Sequence, residues 1–337
     1  MEFFGAEGSM KENELAILEQ YEIDVKNTRK VRDAVLCETK QGLFLVKEMR
    51  FSEKRLSVLD YLSGHLRMSG CENIDWILKT KEEMLFTTSE EGNSYFLKKW
   101  FAGRECDVRR EKDVLEAVEN LTTVHGALLG TDFPVQEVED LRDTFSRHNK
   151  EMKKVRSHMR ERVGKSDFEL AFLKHFDAMY IYANEALETL RKSNYEELLK
   201  KCKESNSCVH GDYNYHNVLM IYGGVATTNF EHIQKNIQVT DLYYFLRKVM
   251  EKNHWDISLG DKMLNAYQKR RPFQKGELEY IAICLAYPEK FWKVANSYER
   301  SRKVWIPAKN LEKLELVIQQ TEEKKKFLKT IFSFHLE

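Results

Sequence analysis

The first hundred residues carry short apolar runs separated by turn residues. Residues 31–39 and 43–49 are rich in apolar and β-branched side chains on either side of a Lys-Gln-Gly turn, which predicts a β-hairpin. Residues 52–70 repeat apolar side chains at the helical period, and Ser52 is a suitable N-cap, so a helix is predicted there. Apolar runs predict further strands at 74–80, 82–88 and 94–100. Together these patterns predict a small β-rich lobe with one helix.

Beyond residue 100 the helical period dominates, with one interruption. Apolar side chains recur at helical spacing over 107–130, over 136–204, and from Asp241 onward. Between these helices, a polar loop is followed by two short apolar runs around a Gly-Gly turn, which predict a second hairpin at 218–231. The chain has only 4 prolines and 15 glycines, which agrees with a mostly helical C-terminal part.

Charge and cysteine spacing narrow the function classes. The chain has 54 basic and 54 acidic residues, so its charge indicates neither nucleic acid nor an anionic membrane as a partner. The basic run at 150–165 contains interspersed acids and is interpreted as a solvated helix face. No apolar run reaches the ~18 residues of a membrane span, and the acidic N-terminus is unlike a signal peptide. The six cysteines lack CxxC spacing, which favours reduced thiols over a metal site or a disulfide framework.

The most informative segment is the loop 209–217, which has the sequence VHGDYNYHN. Phosphoryl transfer to a hydroxyl requires a carboxylate that orients the nucleophile and an oxygen ligand for Mg²⁺. Asp212 and Asn217, five residues apart on one loop, can supply both. The alternative is that both residues only cap turns, as Asp and Asn often do. Because a strand hairpin follows the loop, we favour kinase ancestry, with His210 as a support for the loop and not a base.

Several segments resemble known families. The loop HGDYNYHNVLM resembles the catalytic loop of aminoglycoside phosphotransferases and choline kinases. The hinge KKWFAGRECD at 98–107, the segment 227–256 and YPEKFWKVANSY at 287–298 are similar to the CotS-type kinase-like proteins of the spore coat. The resemblance spans almost the whole chain and implies an α+β, protein-kinase-like fold of two lobes. The smaller lobe would be β-rich with one helix (1–100), and the larger would be helical with a hairpin insert (101–337).

The resemblance also implies roles for individual residues. Asp212 would be the catalytic-loop acid, and Asn217 would be a metal ligand. Lys47, on a predicted strand before the helix of the small lobe, would contact nucleotide phosphates, and an ordinary strand lysine is the alternative. Trp100 and Gly103 in the hinge would contribute to the cofactor site. ATP and Mg²⁺ are the implied cofactors.

Three departures from the family pattern weaken the implied activity. The position that normally carries a metal-binding acid is Asn229, while Glu231, two residues later, is expected on the same face of a strand as a further metal ligand. Residues 27–36 contain no glycine, so the first hairpin lacks a loop in which backbone amides can approach phosphates closely. The helix of the small lobe has no mid-helix glutamate to pair with the strand lysine, which leaves Glu53 or Asp60 as its partner.

Two functions from different classes follow from these residues. The preferred hypothesis is a pseudokinase or weak phosphotransferase associated with the spore coat, because a lost metal carboxylate reduces the electrostatic stabilisation of phosphoryl transfer. The alternative is an active ATP- and Mg²⁺-dependent phosphotransferase with a small-molecule hydroxyl acceptor, which the retained Asp212 and Asn217 favour. A helical scaffold unrelated to kinases explains neither the loop 209–217 nor the hinge. Spore-coat proteins are expected partners, without nucleic acid or membrane, and the expected location is cytoplasmic synthesis followed by the spore coat.

Overall fold

An antiparallel sheet forms from the alternating N-terminal segments. A computed structural model describes residues 16–301 and 308–336. The strands are β1 (Val25–Val31), β2 (Ala34–Thr39), β3 (Gly42–Glu48), β4 (Ile77–Leu78), β5 (Thr87–Thr88) and β6 (Ser94–Lys99). They pair in the order β1-β2-β3-β6-β4, and β5 also pairs with β6. The predicted hairpin corresponds to β2 and β3, and strand β1 precedes it. The first 15 residues, whose acidic character argues against a signal peptide, lie outside the described residues.

The register of this sheet puts two lysines on one face. Lys47 of β3 pairs with Phe96 of β6, and Leu45 of β3 pairs with Lys98 of β6. Directly paired residues share a face, and so do residues two apart on a strand, so Lys47 and Lys98 lie on the same face. The opposite face packs in an apolar core, which contains Val46, Leu97, Phe44, Cys37, Ile17, Leu18 and Tyr21.

Helix α1 (Glu53–Met68) follows β3 and begins where the sequence predicts. The Ser52 side chain accepts a hydrogen bond from the backbone N–H of Arg55 at 3.3 Å, which satisfies one of the unpaired donors of the first turn. The buried face of the helix carries Leu56, Val58, Leu59, Leu62 and Leu66. The helix therefore packs through a continuous apolar stripe and presents its first turn to the segment 231–233, described below.

Two smaller sheets contain the strands that precede and follow the polar loop 209–217 in the chain. Strands β7 (Gly103–Glu105), β9 (Val218–Ile221) and β10 (Gly224–Thr227) pair in the order β10-β9-β7, and β8 (Cys208–Val209) pairs with β11 (Gln234–Lys235). The second hairpin is present as predicted, but β10 ends at Thr227 and does not extend to residue 231. Asn229 takes a left-handed conformation with φ of +68°, and Phe230–His232 form a 3₁₀ turn. The expectation that Asn229 and Glu231 share a strand face is therefore wrong.

The remaining elements are helices, as the 3.6-residue period predicts. They are α2 (Glu111–Ala127), α3 (Leu141–Glu161), α4 (Asp167–Lys192), α5 (Tyr195–Glu204), α6 (Val239–Met250), α7 (Ile257–Arg270), α8 (Glu277–Ala286), α9 (Glu289–Ser301), α10 (Ala308–Gln319) and α11 (Thr321–Phe332). Residues 280–286 of α8 are all buried, which is typical of a helix at the centre of a helical core. Over residues 16–301 and 308–336, the helices lack the combination of length and hydrophobicity needed to span a membrane.

The chain divides into two compact units. The first contains the N-terminal residues through Asp107, Thr123–Val135 and His210–Ile233, and the second contains Val108–Thr122, Gln136–Val209 and the chain from Gln234 onward. The polar loop thus counts with the N-terminal sheet, and the division into lobes at residue 100 stays a prediction. All six cysteines are buried.

Candidate functional site

The polar loop of the first unit is held by a buried histidine. His210 is fully buried, and its Nδ1 accepts a hydrogen bond from the backbone N–H of Asp212 at 3.2 Å. The other ring nitrogen, Nε2, therefore carries the proton that is donated to the Thr228 carbonyl at 3.0 Å. Gly211 has φ of +82°, and a Cβ there would lie 2.1 Å from the carbonyl oxygen of His232, so only glycine fits. This geometry gives His210 the supporting contacts that sequence analysis expected.

Two amide side chains bind the carboxylate of Asp212. Asn214 Nδ2 donates to Asp212 Oδ1 at 2.8 Å, and Asn217 Nδ2 donates to Asp212 Oδ2 at 2.9 Å. Asn217 Nδ2 also donates to the Asp212 carbonyl at 2.8 Å. The five-residue spacing of Asp212 and Asn217 thus brings their side chains into direct contact, as the motif predicts.

Asn229 continues this chain of hydrogen bonds toward the sheet. Its Nδ2 donates to Asn217 Oδ1 at 2.8 Å, and its Oδ1 accepts from Lys98 Nζ at 2.6 Å. An ammonium can only donate and an ionised carboxylate can only accept, so Lys98 at one end and Asp212 at the other determine the orientation of both amides. Consequently the side-chain oxygens of Asn217 and Asn229 are both engaged by protein donors.

Lys98 is the centre of a buried ionic cluster. Its side chain is 3% exposed, and its Nζ lies 2.7 Å from Asp75 Oδ2 and 3.2 Å from Glu231 Oε1, besides the bond to Asn229. Burial opposes the charged ammonium, but the carboxylates of Asp75 and Glu231 outweigh it and raise the pKa of Lys98. Its three protons therefore meet three oxygen acceptors. Asp75 also accepts a hydrogen bond from the Asn229 backbone N–H at 2.9 Å, which helps to hold the left-handed turn.

The carboxylate of Glu231 joins the two lysines of the sheet. Glu231 Oε1 accepts from Lys47 Nζ at 2.9 Å as well as from Lys98. Burial alone would raise the pKa of Glu231, but the charges of Lys98 and Lys47 lower it to about 2. Lys47 thus pairs with Glu231, and neither Glu53 nor Asp60 takes this place.

Helix α1 contributes an arginine to this region. Arg55 Nη2 donates to the carbonyl oxygens of Glu231 at 3.0 Å and Ile233 at 2.5 Å. Where sequence analysis sought an acidic partner on the helix, the first turn instead binds the backbone that carries Glu231. This contact joins α1, the 3₁₀ turn and the lysine face of the sheet.

The turn between β1 and β2 is tied to the polar loop. Arg32 has φ of +48°, and its Nη2 donates to Glu105 Oε1 at 2.5 Å. His216 Nδ1 lies 2.6 Å from Glu105 Oε2 and 2.9 Å from Arg32 Nη2. All three side chains are exposed by more than 40%, so the ionic contacts are worth ~1 kcal/mol or less each. They nevertheless link the turn between β1 and β2 to the residue before Asn217.

The two hinge residues lie in structurally defined places. The Trp100 ring packs against the small apolar cluster of Ala34, Leu36 and Leu45, and the Lys98 ammonium lies 5.7 Å from its centroid. Gly103 lies on β7, where a Cβ would be 2.5 Å from the Met220 carbonyl oxygen, so its glycine permits close pairing with β9. Their participation in a cofactor site stays a prediction.

Sequence analysis missed Lys98, Asp75 and Arg55. A signal for Lys98 was available in the predicted strand 94–100. Side chains alternate between the two faces of a strand, and the pairing of this strand with the strand of Lys47 puts both lysines on one face. Asp75 stands between Ile74 and Trp76, which marks a lone acid in an apolar segment. Arg55 had no distinguishing local signal, since arginine is ordinary in a first helical turn.

Comparison with solved structures identifies the fold. An aminoglycoside phosphotransferase from Alicyclobacillus acidocaldarius matches with a TM-score of 0.84 at 16% identity, over 96% of this chain and 96% of that one. The spectinomycin phosphotransferase APH(9)-Ia, solved with ADP and spectinomycin, matches with a TM-score of 0.63 at 12% identity, over 93% and 96% of the two chains. A choline kinase from Cryptosporidium parvum matches with a TM-score of 0.50 at 14% identity, over 91% and 90%. These likenesses confirm the α+β, kinase-like fold that the sequence predicts.

A family model covers nearly the whole chain. The model described as "Spore coat putative kinase YutH" matches residues 14–331. This range contains the hinge, the polar loop and the C-terminal segment on which the resemblance to CotS-type proteins rests. The resemblance is thereby confirmed, and the chain belongs to the YutH family of kinase-like spore-coat proteins.

Proposed function

We propose that this chain is a pseudokinase: a kinase-like fold that serves the spore coat as a binding or assembly module and has lost Mg²⁺-dependent phosphoryl transfer. The observation that carries the proposal is the contact between Lys98 Nζ and Asn229 Oδ1 at 2.6 Å. The Lys98 ammonium binds the side chain of Asn229, and this is the position at which the kinase pattern has a metal-binding carboxylate.

The oxygen donors of the site support the proposal because they do not suit Mg²⁺. This ion prefers carboxylate and phosphate oxygens in strict octahedral geometry. The candidate oxygens of Asn217 and Asn229 are neutral and already bonded, and the carboxylate of Glu231 is bonded to two lysines. Over the described ranges, no group of three or more His, Cys, Asp or Glu side chains is arranged to hold a metal ion.

Repulsion between the Lys98 ammonium and a metal cation also supports the pseudokinase proposal. A dication within about 4 Å of the Lys98 ammonium would be repelled by ~8 kcal/mol at an effective dielectric of 20. Asp75 and Glu231 could compensate for a bound ion only by giving up their bonds to lysine. The bond between Asp75 and Lys98 is buried, and breaking a buried ion pair costs ~3–5 kcal/mol. The site thus favours its own ammonium over a metal ion.

The turn between β1 and β2 offers further support. It contains Arg32 and Asp33, and no glycine, so side chains flank its backbone N–H groups. The Arg32 guanidinium is bound to Glu105, which ties the turn down. This arrangement contrasts with a loop that cradles phosphates through exposed backbone amides.

A second function, an active ATP- and Mg²⁺-dependent phosphotransferase that acts on a small-molecule hydroxyl, is favoured by one observation. Asp212 and Asn217 keep the spacing and mutual contact of a catalytic loop. The solved structures of similar fold include a spectinomycin phosphotransferase in complex with ADP and spectinomycin. For this chain, ATP binding, a hydroxyl acceptor and spore-coat protein partners are all proposals.

The test is thermal unfolding of the full chain with ATP, in EDTA and in millimolar Mg²⁺, together with an ATP turnover assay. We expect no Mg²⁺-dependent rise of the midpoint and no turnover. A ligand at a hundred times its dissociation constant stabilises the folded state by ~2.7 kcal/mol, so true binding would be detected easily. A Mg²⁺-dependent rise accompanied by turnover that Asp212→Ala abolishes would refute the pseudokinase and establish the alternative.

A further inference from the structure

The second unit contains a charged cavity among its helices. The cavity has a volume of about 50 Å³ and is lined by Arg247 of α6, Glu251 directly after α6, Glu289 of α9 and Lys324 of α11. Trp255 forms part of its wall. A cavity of this volume holds roughly three or four water molecules, which is enough for a phosphate or carboxylate group.

Arg247 lines this cavity, and two of its donor groups are not satisfied by any described residue. Its side chain is 7% exposed, and its Nη1 donates to Glu251 Oε1 at 3.2 Å. Within the described residues, Nε and Nη2 of Arg247 have no hydrogen-bond partner, although Nη2 lies 3.5 Å from Glu289 Oε2. Buried guanidinium protons without acceptors are costly, and native structures usually satisfy them with protein, water or a ligand.

Lys324 is a second cation of the cavity, and unlike Arg247 it has no carboxylate partner in the described ranges. Its Nζ donates to the carbonyl oxygens of Ala286 at 3.3 Å and Tyr287 at 3.5 Å, which are both long contacts. Burial and the charge of Arg247 lower its pKa to about 8, and the carboxylates of Glu251 and Glu289 only partly oppose this shift. A cation so disfavoured gains strongly from a nearby negative charge.

The carboxylates of the cavity are already engaged. Glu251 is bonded to Arg247 and to Lys290 at 3.2 Å, and Glu289 is bonded to Lys293 and accepts a hydrogen bond from Tyr243. Among the described residues, the lining carries four cations, Arg247, Lys290, Lys324 and Lys325, against two carboxylates, which is a surplus of two positive charges. The field in the cavity therefore favours an anion.

We infer that this cavity binds a small oxyanion, a phosphate or carboxylate group, at the Nζ of Lys324 and beside the guanidinium of Arg247. The ammonium can donate hydrogen bonds to the oxygens of such a group. The buried guanidinium adds a permanent positive charge that attracts the anion. The apolar wall, with Met179, Trp255 and Val317, suits the carbon skeleton of a small organic acid or phosphate ester.

The experiment uses the full chain with inorganic phosphate and, separately, acetate, at constant ionic strength with chloride as the reference. Thermal unfolding and titration calorimetry measure binding. We expect one of the two oxyanions to raise the midpoint above its value in chloride, and the preferred oxyanion identifies the chemistry of the head group.

Lys324→Met is the decisive variant because it keeps the aliphatic stem and removes the poorly partnered charge. We expect it to fold and to bind the oxyanion at least tenfold more weakly, with Lys324→Gln as a second variant of the same kind. Lys329→Met, an exposed position on the same helix, should bind like the wild type. The inference fails if phosphate and acetate stabilise the wild type no more than chloride does, which would indicate a cavity filled by water. It also fails if both Lys324 variants bind like the wild type, which would assign the anion to another site.

Discussion

Asn229→Asp tests the direction of the hydrogen-bond chain that, in the proposed function, excludes a metal. The substitution replaces the Nδ2 donor with an oxygen, so the 2.8 Å contact with Asn217 Oδ1 becomes a contact between two acceptors. Rotating the Asn217 amide only moves the conflict, because its oxygen would then face Asp212 Oδ2, now 2.9 Å from Nδ2. One contact between two acceptors must therefore remain somewhere along the chain of side chains that runs from Lys98 to Asp212.

The expected loss of stability follows from these contacts. A buried polar group left without its partner costs ~1–3 kcal/mol. The new carboxylate gains attraction to Lys98, but that ammonium already contacts Asp75 and Glu231, so a third acid adds repulsion among carboxylates. We expect the free energy of unfolding to fall by ~1–3 kcal/mol in EDTA. The left-handed backbone at position 229 should not contribute to this loss of stability, since Asp tolerates φ of +68° nearly as well as Asn does.

Mg²⁺ should reverse this loss in the variant alone. An added cation can bridge the acid at position 229 and the Asn217 oxygen, and Mg²⁺ at ten times its dissociation constant restores ~1.4 kcal/mol. The assay is urea unfolding in EDTA and in millimolar Mg²⁺, and Asn229→Gly is the matched control because it accepts the left-handed backbone without adding charge. Undiminished stability of Asn229→Asp in EDTA would refute the deduced amide polarity. An equal Mg²⁺ response of the wild type would refute the exclusion of the metal.

Three further predictions concern single side chains, and unfolding in urea measures each of them. Lys98→Met should destabilise by ~3–5 kcal/mol because it leaves buried carboxylates unpaired, and adding Asp75→Asn should recover part of the loss; a cost below ~1 kcal/mol would contradict the cluster. Gly211→Ala should cost more than ~2 kcal/mol, whereas Gly223→Ala, with φ of +80° and no atom within 4 Å of the new Cβ, should cost only the ~1–2 kcal/mol of backbone strain. Burial lowers the pKa of His148 to about 4, so the unfolded state binds more protons between pH 6.5 and 4 and stability falls as the pH falls through that window. His148→Phe should flatten this slope, by up to ~1.4 kcal/mol per pH unit, and an unchanged slope would exclude His148 as its source.

Local patterns account for the part of the fold that was predicted. The start of α1 at Ser52 follows from one side-chain cap, and the strand that carries Lys47 follows from apolar runs around a glycine turn. The contact between Asp212 and Asn217 follows from a spacing of five residues on one loop. Each of these features depends on residues close together in the chain, so short-range chemistry is sufficient to predict it.

The roles of Lys98 and Glu231 required the tertiary structure. Lys98 reaches Asn229 across 131 residues, and no local pattern encodes a contact between a sheet register and a distant turn. Glu231 was expected to be a metal ligand on a strand. The chain instead changes direction at the left-handed Asn229, and the Glu231 carboxylate contacts Lys47 and Lys98. The sequence by itself determined the family, the fold and the retained catalytic-type loop, because these depend on local patterns and motifs. Only the tertiary structure decided that the Lys98 ammonium lies beside Asn229, because buried charges pair according to distance in space and not along the chain.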